Sequence, residues 1–174
     1  MTLEAETGSG SATANSYVTL AVANDYFTRH LSGTAWAAKT DAEKETLLIT
    51  AARAVDYGAT WKGRKITITQ AMQWPREEVE TSLPWPDTLY PNNVVPPQVK
   101  AAQIEVAALF LNGDRFADQD ADGISSVSLG KGALAVTFDA NTAKSILGRV
   151  APLLIAEFAQ NTGTRRGTAP IYRM

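Results

Sequence analysis

Apolar residues recur at three- and four-residue spacing in three stretches of the chain. Leu20, Ala23, Tyr26 or Phe27, and Leu31 share one face, and Thr19 stands where an N-cap is needed, which predicts a helix to about Leu31 that Ser32-Gly33 ends. Leu47, Leu48, Ala51, Ala52 and Val55 repeat the pattern after Thr40-Asp41-Ala42-Glu43, which has the form of a capping box, and Gly58 supplies a terminating residue. The third stretch opens with Pro97, suited to a first helical turn, and runs through Val99, Ala102, Val106, Leu109 and Phe110 to Gly113. Ile104, Ala107, Ala108 and Leu111 make this helix apolar on nearly every side, so it belongs at the centre of the fold.

The remaining segments follow other rules. Ile124–Leu129 and Ala133–Phe138 flank Gly130-Lys131-Gly132 and predict a β-hairpin over about 124–138. A last helical region covers about Thr142 to Gln160, interrupted near Gly148 and Pro152. Six prolines between Trp61 and Pro97 predict a long irregular connection, with Trp74, Leu83, Trp85 and Tyr90 as apolar anchors. Residues 1–16, rich in Gly, Ser, Thr and Ala, read as a flexible N-terminal arm, and 161–174 as a polar C-terminal arm anchored by Ile171-Tyr172. The expected fold is mainly α: a small helical bundle over 17–160 with a β-hairpin and a long irregular loop, between two flexible arms.

Composition narrows the functional classes. The chain has 174 residues, 45% apolar and 20% charged, and no apolar run approaches the ~20 residues that span a bilayer, so no membrane role is expected. Cysteine is absent, which removes disulfides and thiolate metal sites. The N-terminus starts acidic and lacks an apolar core, so it reads as neither signal nor transit peptide, and synthesis and use inside a cell follow. Net charge is only -2, so contact with a polyanion has to be local. Glu4 and Glu6 near the start, an acidic stretch from Asp114 to Asp122, and Arg165, Arg166 and Arg173 in the tail segregate charge in a way that suits head-to-tail contacts between copies.

Catalytic and metal chemistry find little support. Asp118-x-Asp120-x-Asp122-Gly123 copies the first half of a calcium-binding loop, but Leu129 stands where a bidentate glutamate is required. His30 is the only histidine and reads as a helix-end dipole partner or a packed ring. Gly130-Lys131-Gly132 lacks the spacing of a phosphate-binding loop. No cofactor, metal or catalytic set is expected, and the protein reads as a non-enzyme. The basic and aromatic run from Lys62 to Arg76 holds the remaining chemistry: Lys62, Arg64, Lys65 and Arg76 can neutralise phosphates while Trp61 or Trp74 stacks on bases. The same residues, with Lys131 of the hairpin turn, can instead be packing and subunit-contact groups.

Tyr17-Val18-Thr19-Leu20 with Ala23 and Tyr26-Phe27, Trp36, Trp61-Lys62-Gly63, Gln70-Ala71-Met72-Gln73-Trp74-Pro75-Arg76, and Val95-Pro96-Pro97-Gln98-Val99-Lys100-Ala101-Ala102 together resemble, over most of 17–112, the head-tail connector or adaptor proteins of tailed bacteriophages. That family is also described as DnaT-like single-stranded DNA-binding proteins. The resemblance implies a structural virion protein made in the host bacterial cytoplasm: a homo-oligomeric ring, commonly dodecameric, docked on a portal protein and joined to a downstream neck or tail protein. Genomic DNA would pass through the lumen without sequence-specific binding. Arg165, Arg166, Ile171, Tyr172 and Arg173 are the candidate portal contacts, and Lys62, Arg64, Lys65, Trp74, Arg76 and Lys131 the candidate subunit-contact or DNA-facing groups. The alternative function is single-stranded DNA binding through Lys62, Arg64, Lys65, Trp74 and Arg76.

Overall fold

The computed structural model of the chain describes residues 2–81, 89–111, 113, 126–129, 134–137 and 147–160, with the backbone alone at 126–129 and 134–137. The described residues are mainly helical, with two small two-stranded antiparallel sheets. Helix α1 spans Leu20–Phe27, α2 Gly33–Ala37, α3 Asp41–Gly58, α4 Pro97–Phe110 and α5 Val150–Ile155. The strands are β1 (Arg64–Lys65), β2 (Arg76–Glu77), β3 (Ser126–Leu129) and β4 (Leu134–Thr137). No described helix is long and apolar enough to cross a membrane.

The core is built on α3 and α4. Thr40 caps α3 by accepting from the Glu43 amide at 3.3 Å, while the Glu43 carboxylate accepts from the Thr40 amide at 2.8 Å. Helix α3 then buries Leu48, Ala51, Ala52, Ala54, Val55 and Asp56. With Pro97 in its first turn, α4 buries both apolar flanks and packs on α3 and α5, as its composition predicts.

Helix α1 stops a turn before the predicted Leu31. Its end is redirected because the Ser32 amide donates to His30 Nδ1 at 3.0 Å and the Gly33 amide to the His30 carbonyl at 2.9 Å. The chain folds back as α2, laying Trp36 flat on Phe27 with ring centroids 4.1 Å apart. A methyl group on Gly33 would come within 2.4 Å of the Phe27 carbonyl oxygen, so this close return requires glycine.

The expected flexible arm over 1–16 is instead a packed lap across 2–16. Composition misses its organising group, the buried Glu6 carboxylate. Glu6 Oε1 accepts from the amides of Gly8, Ser9 and Gly10 at 2.8, 2.8 and 3.1 Å, and Oε2 from that of Ser11 at 2.8 Å. Glu4 accepts from the Thr13 hydroxyl at 2.6 Å. Both acids thus find their hydrogen-bond donors within their own segment.

Gln103 of α4 ties the lap to the core. Its Oε1 accepts from the Tyr17 amide at 2.8 Å, and its Nε2 donates to Ser16 Oγ at 2.8 Å and the Leu48 carbonyl at 2.9 Å.

The connection from Trp61 to Pro97, expected to be irregular, contains the β1–β2 pair, with Arg64 opposite Glu77 and Lys65 opposite Arg76. The Trp74-Pro75 peptide bond is cis. Gly63 sits at φ 63°, and a methyl group there would meet the Glu77 carbonyl oxygen at 2.2 Å. Trp74 is fully buried and meets Trp61, Tyr90 and Phe158 edge-to-face at 5.9, 6.0 and 5.5 Å. Phe158 arrives because the chain after α5 returns alongside residues 60–62: the Lys62 amide donates to the Phe158 carbonyl at 2.9 Å and the Gln160 amide to the Thr60 carbonyl at 2.6 Å.

Strands β3 and β4 pair from Ser126↔Thr137 to Leu129↔Leu134, within the predicted hairpin. The Gly130-Lys131-Gly132 turn, residues 142–146 and the arm 161–174 lie outside the described residues.

Replacing Glu6 by alanine removes the acceptor for four amides, and charge-assisted hydrogen bonds of this kind contribute about 1.5–3 kcal/mol each before water substitutes for them. Urea denaturation of Glu6→Ala is expected to show a loss of about 2 kcal/mol or more. An unchanged midpoint would show that the lap lies outside the cooperative unit.

Candidate nucleic-acid interface

The basic run from Lys62 to Arg76 is held by its own acceptors. Arg76 is buried, and its guanidinium donates through Nε to the Lys62 carbonyl at 2.6 Å and through one terminal nitrogen to the Gly63 carbonyl at 2.7 Å. The other terminal nitrogen donates to the Gln73 carbonyl and Oε1 at 3.2 and 3.1 Å. Arg64 is exposed, but its Nε lies 2.8 Å from Glu77 Oε1 and its Nη2 3.0 Å from Glu78 Oε1. Lys62 Nζ donates to the Glu157 carbonyl at 2.7 Å, and Lys65 Nζ to the Gln70 carbonyl at 3.3 Å.

Trp61 and Trp74 lie within the aromatic cluster, so neither presents a ring face to a base. The structure thus brings the sequence-predicted residues Lys62, Arg64, Lys65, Trp74 and Arg76 together as a structural clasp. Sequence reading could not anticipate this, because most of the acceptors are backbone carbonyls.

Beneath the clasp lies a buried polar network. The Tyr17 hydroxyl donates to Asp56 Oδ1 and accepts from the Trp74 amide at 3.2 Å, and the Gln73 amide donates to Asp56 Oδ2 at 3.1 Å. Burial pushes the Asp56 carboxyl up to about 6, against the opposing pull of the Tyr17 and Gln73 hydrogen bonds and of the Lys65 and Arg76 charges. Burial and the neighbouring carboxylate drive the Tyr17 phenol well above its ordinary value.

The other basic side chains divide cleanly. Arg29 pairs with Asp25 at 2.7 Å, Lys39 with Glu43 at 3.5 Å, and Lys44 with Asp41 at 3.5 Å. Among the described residues, Arg53, Lys100 and Arg149 are the basic side chains with no hydrogen bond or ion pair. Sequence reading did not single them out. The available signal was that Arg53 has no acid four residues away on either side.

His30 is a packed ring, with its centroid 5.4 Å from that of Phe27 and its Nε2 3.7 Å from Glu105 Oε2. No group of three His, Asp or Glu side chains among the described residues could hold a metal ion. The acidic run Asp114 to Asp122, Lys131, and the tail candidates Arg165, Arg166, Ile171, Tyr172 and Arg173 lie outside the described residues.

A family model described as "Putative DnaT-like ssDNA binding protein" matches residues 1–174. The chain belongs to this DnaT-like family. No curated protein and no solved structure matches it. The match corrects the expectation of a virion connector, because the model spanning the whole chain is described by single-stranded DNA binding, the function held as the alternative. That description speaks for DNA contact and not for a neck role, a portal or a ring of copies. In the DnaT-like chain, the cations of the Lys62–Arg76 clasp are engaged inside the fold, and the described basic groups without partners lie elsewhere.

The Asp56 value gives a pH test. The folded value of about 6 lies above the ordinary 3.8, so between these limits the folded chain holds a proton that the unfolded chain has lost. Stability therefore falls as pH rises through that window and levels off above it. Chemical denaturation at stepped pH is expected to show wild type losing stability relative to Asp56→Asn, by of order 2–3 kcal/mol from about pH 4 to about pH 6.5. Parallel profiles for the two proteins would contradict the buried carboxyl's role.

Proposed function

We propose that this chain is a single-stranded-DNA-binding protein that acts by binding and not by catalysis. The observation carrying the proposal is the match of the DnaT-like family model to residues 1–174. The electrostatics define the kind of binder. Net charge is -2, and most of the described Lys and Arg side chains already hold an ion pair or a hydrogen bond inside the fold, so the described surface offers a strand few free cations. Phosphate contacts fall to the few basic side chains without internal partners, and affinity then depends on stacking as much as on charge. Such a mode is tolerant of sequence, since every base offers a π-face.

Fluorescence anisotropy with a labelled oligothymidylate tests the reading. Binding is expected to favour the single strand over a duplex of the same length, with log K falling against log salt at a slope of about -2, near -0.7 for each of a few phosphates. Absence of binding at about 50 mM salt, where phosphate contacts are strongest, would sink the proposal. Neutralising Lys62, Arg64 and Lys65 together is expected to leave the slope nearly unchanged, because each already serves an acceptor within the fold.

A further inference from the structure

We infer that Tyr57, at the end of α3, is the base-stacking platform of this protein, flanked by Arg53 and Arg149 as phosphate contacts; the inference rests on the single-stranded-DNA reading above. Stacking requires an aromatic ring with a free face, and most described aromatic rings are committed. Trp61, Trp74, Tyr90 and Phe158 pack on one another, Phe27 and Trp36 are stacked together, Tyr17 is buried, and Tyr26 donates to Glu105 Oε1 at 2.5 Å. Phe110 is buried in the core. Tyr57 differs: it is 81% exposed and has no ring neighbour among the described residues. A large aromatic ring left in water on the last turn of a helix gains much from a stacked base and contributes little to the core.

Its surroundings carry the right charge. Arg53 lies one turn earlier, at the four-residue spacing that places two side chains on one helix face, and it is exposed without an ion-pair partner. The acid nearest to both in sequence, Asp56, is turned inward to Tyr17 and the Gln73 amide and does not neutralise the face. A second free cation comes from another part of the chain. A methyl group on Gly58 would meet the Leu147 side chain at 2.9 Å, so the turn at 147–149 crosses the end of α3 directly after Tyr57. Arg149, two residues past Leu147, is exposed and without an ion pair. An exposed aromatic ring with one unpaired guanidinium a turn away on its own helix, and a second on the segment that touches Gly58, suits a strand whose bases stack while its phosphates run alongside.

The test uses the full-length protein and a fluorescein-labelled oligothymidylate of about 15 nucleotides, within the usual site sizes of single-strand binders. Tyr57→Ala is expected to weaken binding roughly tenfold or more, whereas Tyr57→Phe, which keeps the ring, binds like wild type. Arg53→Gln and Arg149→Gln are each expected to make the salt slope shallower by about 0.7, the signature of one lost phosphate contact. Equal melting temperatures for the variants and wild type exclude a folding effect, as expected for exposed side chains. If wild type binds and Tyr57→Ala binds equally well, the platform is elsewhere and this inference is overturned while the DNA-binding reading stands. If wild type binds no single strand, both are overturned.

Discussion

Burying Asp56 removes a carboxylate from water, and the hydrogen bond from Tyr17, with the Gln73 amide, is what offsets that cost. Three segments distant in sequence meet at this point: the end of the N-terminal lap, the middle of the fold at α3, and the Trp74-Pro75 loop. Tyr17 cannot shift without releasing the Trp74 amide from its hydroxyl and its own amide from Gln103. Because Trp74 is also the hub of the edge-to-face aromatic cluster, the same contact fixes where Phe158 and the end of the described chain come to rest. A polar network this deep gives the helices one arrangement, since any slide would leave a buried donor or the carboxylate unmatched.

The clasp around Arg76 shows how a basic sequence can turn its donors to acceptors inside the fold. A guanidinium carries five donors in a rigid fork, and the carbonyls of Lys62, Gly63 and Gln73 are spaced to take most of them. Arg64 keeps its charge outside but faces two glutamates. Four cations in fifteen residues thus stabilise a short strand pair and its loop.

How much of this was legible in the sequence depended on the range of the interaction. The capping box at Thr40 and Glu43, the proline start of α4 and the antiparallel pairing of β3 with β4 rest on neighbours within a few residues, and the sequence pattern found them. The packed role of His30 was legible for the same reason. The N-terminal lap was missed because Gly, Ser and Thr signal freedom in composition statistics, whereas here their bare amides converge on one carboxylate. Helix α2 and the β1–β2 pair were missed because each depends on a partner that no local pattern names: Trp36 needs Phe27, and Arg64 and Lys65 need a strand eleven residues further on. The family resemblance caught the DNA-binding description but was weighted toward assembly. For the candidate DNA contacts, charge could be counted in the sequence, while the acceptors that engage it became visible only with side chains in place.

The antiparallel bridge between Trp61 and Ala159 has a further consequence of reach. It pins Gln160 beside Thr60, three residues past Tyr57, so everything that follows in the chain is tethered at that end of α3. Arg165 and Arg166 begin only five residues beyond the anchor, a contour length of about 18 Å. Whatever course the chain takes beyond Gln160, Arg165 stays within that contour length of the anchor, which bounds where its charge can act.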